Sequence, residues 1–296
     1  MSPLLSLFFS VLLVRQAFVA RKQLAHTTAV SSANWTIVAG IALTLLAALW
    51  CFDAAPPRIL SGLQYAASVF LLVPLLDLLG ARRPTHRAWP WFVLLPMFVV
   101  LQWPSISQCL SASSFATPVE VPTPTFLGFL LVIVMGCGNH FGTHQTLSIF
   151  LVATGIASAA IPTSEWMSYT PHGLTLASGL CLAATFFVRQ PHLIITPDSN
   201  SPELAGDQLL WADFRDIYGM VWARRAMDRV NQFADRERWP VRMTLDGFRT
   251  NSGELVEAHE PAVSRLCWVL RRFLNDEFMQ RYVKLQSQHS SEKPAR

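Results

Sequence analysis

Charge is what the first two-thirds of this chain lacks. Residues 1 to 188 carry 7 Lys/Arg and 4 Asp/Glu, while residues 189 to 296 carry 16 and 15. So few charges cannot cover a water-facing surface, which excludes a wholly soluble single domain. The five cysteines, Cys51, Cys109, Cys137, Cys181 and Cys267, form no C-x-x-C and no regular spacing, so they read as small buried apolar residues. The sequence has no G-x-S-x-G, no H-E-x-x-H, no P-loop and no G-x-G-x-x-G. Gly136, Gly138 and Gly142 miss the last by one residue and follow no predicted strand. The net charge of +4 is unclustered and leaves no footprint for nucleic acid.

What is present is a series of apolar runs, at about 3–20, 35–52, 60–80, 88–103, 124–141, 146–162 and 173–188. A membrane-crossing helix needs roughly 20 mainly apolar residues. The expected fold is mainly α: a polytopic helical membrane bundle of seven spans, or six if the first lies on the surface. Arg15 interrupts that first run and would snorkel to the interface. Met1-Ser2-Pro3 lacks the basic start of a signal peptide, so the run reads as a span.

If Arg21 and Lys22 face the cytoplasm, alternation puts Arg82, Arg83, Arg87 and Arg189 there too and leaves only Arg58 outside. Either span count places the C-terminus in the cytoplasm. Trp35, Trp50, Trp89, Trp91, Trp103 and Trp166, all near predicted span ends, fit rings seated at the headgroup level.

Inside the spans no carboxylate lies mid-membrane. Asp77 reads as an interfacial residue pairing with the Arg82-Arg83 edge, which counts against an ion-coupled transporter. Pro74 and Pro96 each remove a helical hydrogen bond and kink their helices, a feature of packing or of a cavity. Gly155 with Ala159, Gly173 with Ala177 and Gly179 with Ala183 form small-xxx-small pairs for close helix packing. The stretch from Pro104 to Thr125, rich in Ser, Thr and Pro, reads as a flexible outer loop, and Cys51 and Cys109 on that side leave a disulfide open to them.

One cluster has the residue types for chemistry. If the fifth span stays helical through Gly136 to His144, then Cys137, His140 and His144 share one face and form a candidate metal or haem site. Three glycines weaken that helix, and no nearby carboxylate supplies an orienting partner. The alternative is a polar turn, with Gly138 and Gly142 as a G-x-x-x-G pair admitting a neighbouring helix. His26, His86 and His192 fall at the same edge. No cofactor is strongly indicated.

Residues 189–206, with Pro191, Pro197 and Pro202, read as a linker. The module expected at 207–284 is α+β or mainly helical. Its first helix places Leu210, Phe214, Ile217 and Val221 on an apolar face widened by Trp222, Ala226, Val230 and Phe233. Val241–Asp246 alternates as a strand, Asn251-Ser252-Gly253 turns towards Leu255-Val256, and a last helix runs from about Pro261 to Val283. Residues 285–296 read as a disordered tail. Arg224, Arg225, Arg229, Arg271 and Arg272 read as a mixed solvated surface, with anionic lipid as the alternative. Asp246 with Glu257, and His259 with Glu260, read as solvated rather than as acid/base pairs.

The expectation is therefore an integral multi-pass membrane protein with the bilayer as its solvent, acting without catalysis as a scaffold, assembly or regulatory component whose tail binds a protein partner. The alternatives are a metal or haem redox protein using Cys137, His140 and His144, and a channel or passive transporter built around Pro74 and Pro96.

Overall fold

The computed structural model describes residues 2–111, 114–187, 206–250, 252–256 and 260–282. The linker expected at 189–206 lies outside the described residues except for Gly206, as do the 285–296 tail, Arg189, His192, Glu257 and His259. The protein is mainly helical, and five helices are long and apolar enough to cross a membrane: Pro3–Gln23, Val30–Cys51, Pro57–Leu79, Pro90–Leu110 and Thr146–Thr163. The helical bundle runs through α1 (Ser2–Gln23), α2 (Val30–Cys51), α3 (Pro57–Leu79), α4 (Leu95–Leu110), α5 (Thr123–Gly138), α6 (Thr146–Ala160) and α7 (His172–Phe187). At 16 residues each, α5 and α7 are shorter apolar helices, rising about 24 Å where a bilayer core measures about 30 Å.

Prolines punctuate these helices as their missing N–H requires. Pro57 opens α3 and Pro124 falls in the first turn of α5, where a free N–H would have no helical acceptor. Pro96 sits at the start of α4, and its distortion takes the form of a π-helical turn, Pro90–Leu94, that widens the backbone ahead of the ring. Pro104 does not end the fourth helix. α4 continues to Leu110, with the Ser107 and Ser111 hydroxyls folded back on the Pro104 and Ser107 carbonyls at 3.0 and 2.8 Å. The described part of the following loop, residues 114–122, is held: Arg58 donates to the Gln108 and Thr117 carbonyls, both at 2.9 Å, and Val121 N–H to the Thr163 carbonyl at 2.8 Å. Composition pointed to flexibility there, and Arg58 supplies the order. Cys51 and Cys109 are free thiols.

α3 is the central helix, with 72% of its apolar window buried. Tyr65 on it packs on Phe129, which stacks on Phe126. Gln64 donates to the Ala159 carbonyl at 2.9 Å, tying α3 to α6. Small residues do bring helices together. A Cβ on Gly173 would lie 2.2 Å from the Ser158 carbonyl oxygen, and one on Gly155 would lie 3.1 Å from Cys181 Sγ, so α6 and α7 meet along this strip. The G-x-x-x-G reading of Gly138 and Gly142 is overturned, because a Cβ at either meets nothing within 4 Å. Gly142 instead serves a turn with φ of 84°.

The rest of the chain forms α8 (Gly206–Glu237), β1 (Val241–Thr244), β2 (Gly247–Thr250) and α9 (Glu260–Leu270). The hairpin is tighter than the sequence indicated. β1 pairs antiparallel with β2 around Leu245-Asp246, and the turn at Ser252-Gly253 instead returns the chain so that Val256 N–H reaches the Phe248 carbonyl at 3.0 Å. Nor does the last helix run unbroken to Val283. It stops at Leu270, turns, and resumes over 276–282, because Phe273 is the hub of an aromatic cluster with Phe214, Tyr218 and Trp222. That core also includes Ala29 and Ala81, with Leu24 and Leu78 packed against it, so the C-terminal segment and one edge of the bundle share a single hydrophobic interior.

Replacing Gly173 by Ala is expected to destabilise the protein by about 1–3 kcal/mol through overpacking, whereas Gly138→Ala is expected to be neutral or slightly stabilising. Thermal unfolding in detergent measures both. Equal losses would restore the G-x-x-x-G reading.

Candidate functional site

The site begins with a break in a helix. At Gly219 α8 departs from helical geometry, with φ of 78° and ψ of −179°, and the backbone groups on either side lose their helical partners. Asn139, from the α5–α6 turn, replaces them. Its Nδ2 donates to the Tyr218 carbonyl at 3.0 Å, its Oδ1 accepts from Val221 N–H at 3.0 Å, and its own carbonyl accepts from Met220 N–H at 2.6 Å. A Cβ at Gly219 would lie 2.4 Å from Asn139 Nδ2, so only glycine admits the wedge. The break also turns the helix face. Val221, expected on the apolar stripe, is exposed, and Trp222, Ala226 and Val230 carry the buried side instead.

Neighbouring contacts lock this arrangement. Trp222 Nε1 donates to the Leu78 carbonyl at 2.9 Å, and the Tyr218 hydroxyl bridges Thr28 Oγ1 at 3.0 Å and the Phe273 carbonyl at 3.2 Å. Thr28 N–H reaches the Phe273 carbonyl at 2.8 Å, Arg83 N–H the Arg272 carbonyl at 2.9 Å, and Asn275 N–H the His26 carbonyl at 2.9 Å. All three bundle turns at this edge therefore hold the C-terminal segment.

Beneath α8 lies a cavity of about 310 Å³. Leu13 of α1, Leu71 and Leu75 of α3, Ile149 and Val152 of α6 and Cys181 of α7 form its walls, and Asp213, Asp216 and Ile217 of α8 form its roof. Pro74, inside the continuous helix α3, lies in the wall, and Ser32 Oγ donates to its carbonyl at 2.7 Å. Asp77, expected at the interface, is buried and faces the Ser31 hydroxyl.

His140, in the turn outside α5 and α6, belongs to the cavity lining. It is 4% exposed, and neither Nδ1 nor Nε2 has a hydrogen-bond partner among the described residues. Ser148 Oγ, in the same lining, has none either. Buried polar groups are ordinarily satisfied, so two orphans in one cavity need a cause. The His140 backbone, by contrast, is fixed: its carbonyl accepts from Thr143 Oγ1 at 2.7 Å and its N–H reaches the Cys137 carbonyl at 3.0 Å. Burial pushes the imidazole down to about 4, against an opposing pull from Asp216, so the ring is neutral at physiological pH.

Asp216, 6% exposed, carries the charge at the lip. It meets His144 Nδ1 at 3.0 Å and Arg215 Nε at 3.5 Å, while Arg215 also donates to the Leu245 carbonyl at 2.6 Å. A buried carboxylate needs donors, so Nδ1 of His144 carries the proton, and its 3.2 Å approach to Arg215 is a contact rather than a second hydrogen bond. Asp213 accepts from the Tyr282 hydroxyl at 2.5 Å, and burial pushes that phenol above its usual range.

The three residues singled out from sequence are thus separated. α5 ends at Gly138, so Cys137, His140 and His144 do not share a helix face: Cys137 is buried in the bundle, His140 belongs to the cavity lining and His144 pairs with Asp216. Among the described residues no group of three or more His, Cys, Asp or Glu side chains could hold a metal ion. Asp246 lies in the hairpin turn and pairs with Arg249 at 3.1 Å. Arg225 stacks on Trp222, Arg229 and Arg265 on Phe233, and Arg272 on Trp268.

Sequence reasoning missed Asn139, Gly219, Asp213 and Asp216. The available signal was a lone glycine inside a helical pattern, with two acids three residues apart beside its apolar stripe. No protein-family profile, curated protein or solved structure matches the chain.

Asn139→Ala is expected to cost about 2–4 kcal/mol from the two lost side-chain hydrogen bonds, the Met220 N–H keeping its bond to the residue-139 carbonyl, and Gly219→Ala at least as much. Limited proteolysis should then release the C-terminal segment from the bundle. Wild-type protease resistance in both variants would remove the wedge from the account. A second expectation concerns acid. The folded-state pKa of His140 lies below its unfolded value, so the unfolded chain binds more protons between about pH 6.5 and pH 4, and stability falls as pH drops through that window, by on the order of 3 kcal/mol. Unfolding curves of wild type and His140→Gln across that range test this, since the variant should lose that slope.

Proposed function

We propose that this chain is an integral membrane protein that holds one small apolar or amphiphilic molecule in the cavity beneath α8. The observation that carries the reading is the cavity itself: mostly apolar walls from four membrane-type helices, closed by α8 and with the buried imidazole of His140 in its lining. Ligand pockets commonly have this composition, an apolar lining with a few convergent polar groups that fix orientation, and about 310 Å³ is at the lower end of their range.

In this reading all seven apolar helices enter the bilayer and the C-terminal segment lies on the cytoplasmic face. Arg21, Lys22, Arg82, Arg83 and Arg87 flank the turns to which that segment is bonded, and Arg58 alone lies towards the other edge, which is the asymmetry of a positive-inside topology. A scaffold role was motivated by the apolar faces of the tail helices. Those faces are occupied within the chain by Tyr218, Trp222 and Phe273 packing towards the bundle, so the cavity and not the tail surface is the better-supported site.

Protein purified in mild detergent is expected to carry a co-purifying small molecule, identified by mass spectrometry of a denaturing extract. Val152→Phe, which narrows the cavity, should lower its amount several-fold with the elution profile unchanged. Equal recovery from both proteins would overturn the proposal.

A further inference from the structure

We propose that the turn between α3 and α4 and the C-terminal segment together hold the phosphate of an anionic phospholipid, with Arg87, Arg225 and Arg272 as its donors. This inference rests on the reading of the apolar helices as bilayer-crossing and is independent of the cavity.

Depth comes first. The turn runs from the end of α3 at Leu79 to the start of the next span at Pro90, so its side chains lie where a bilayer has its headgroups. Trp91 and Phe92 follow at once and are 69% and 80% exposed, as rings seated at that layer are. α8 and the residues after α9 reach the same level through their bonds to the bundle: Trp222 Nε1 donates to the Leu78 carbonyl, and the Arg272 carbonyl accepts from Arg83 N–H.

Those bonds gather basic side chains from three parts of the chain. Arg225 lies over the Trp222 ring, its Cζ 5.0 Å from the centroid, and Arg272 lies over Trp268 at 5.8 Å. Phe273, next to Arg272, has its ring centroid 5.0 Å from that of Trp222. The turn adds Arg87 and Arg83, both close enough to His86 that burial, followed by their two charges, holds its imidazole below the ordinary range. Arg87, Arg225 and Arg272 are exposed.

Their charge is not met within the described residues. Asp276 pairs with Arg271 at 2.9 Å and Glu277 with His26 at 2.8 Å, while Asp77 is buried. Arg83 is committed to Asn275 Oδ1. Asp228, exposed on α8 three residues beyond Arg225, is a single carboxylate against three guanidiniums.

A phosphate answers such a set. Guanidinium donors match its oxygens in pairs, and a ring beneath each guanidinium restricts the side chain beforehand, which lowers the entropy lost on binding. Position favours lipid as the source, because headgroups already occupy this depth and Leu95, Val99 and Trp103 expose an apolar face of α4 to the acyl chains. A soluble polyanion would first have to displace those headgroups.

The test titrates the purified full chain in mild detergent with phosphatidylglycerol or phosphatidylcholine and counts bound lipid by native mass spectrometry. Wild type is expected to bind phosphatidylglycerol about tenfold more tightly, and Arg225→Gln combined with Arg272→Gln should remove most of that preference. Arg236→Gln combined with Arg238→Gln takes the same charge from the far end of α8, about 16 Å along the helix from Arg225, and should leave the preference within about twofold. Wild-type protein photolysed with a phosphatidylglycerol bearing a diazirine on its headgroup should be labelled on the peptides containing Arg87 and Arg225, a readout that needs no variant to fold. Millimolar inorganic phosphate should not compete. The inference is overturned if the two lipids bind alike, if both double variants lose the preference equally, if the label falls outside those peptides, or if inorganic phosphate displaces the lipid. Alkaline extraction of membranes checks the underlying reading: release of the chain removes the bilayer-crossing reading and this inference with it, whereas retention alongside any of those results removes this inference alone.

Discussion

The structure depends on one amide side chain filling the gap in a broken helix. At Gly219 the backbone of α8 leaves its hydrogen-bonding register, an expensive place to be buried unless something replaces the lost partners. Asn139 replaces three of them, with the donor and the acceptor of its side chain and with its own carbonyl. Because Asn139 belongs to the turn between α5 and α6, the same bonds fix where α8 lies. Because His140 is the next residue, they also fix the imidazole beneath it.

From that point the polar chemistry divides by depth. At the lip, groups are paired: Asp216 with His144 and Arg215, Asp213 with Tyr282. Deeper, His140 and Ser148 have no partner among the described residues. Leaving such groups unmet in an apolar interior is costly, and a carboxylate there would be costlier still. An imidazole that burial keeps neutral is thus a tolerable polar group for this depth, and a serine hydroxyl is another.

Much of the helical framework was legible in the sequence because bilayer crossing imposes a length and a charge deficit that survive any packing detail. Most helix ends fall within about five residues of the apolar runs, while α4 runs seven residues past the fourth run, and the small residues Gly155 and Gly173 pack where their spacing indicated. What was not legible depends on contacts between distant residues. Nothing local to Val241–Thr250 told a Leu245-Asp246 turn from one at Asn251-Ser252-Gly253, and nothing local to Leu270 stopped the last helix before Phe273 took its place among Phe214, Tyr218 and Trp222. The candidate site was half visible. His140 stood out as a residue type, but its assumed companions Cys137 and His144 were drawn on a helix that ends at Gly138, and its real surroundings come from α8, more than seventy residues away.

The roof of the cavity has a consequence for how the protein is made. Asp213, Asp216 and Ile217 belong to the last third of the chain, so a ribosome has already released every membrane helix before the segment that covers His140 emerges. Until then the walls supplied by α1, α3, α6 and α7 stand without the cover of Asp213, Asp216 and Ile217, so closure of the cavity waits on the last segment of the chain to be made.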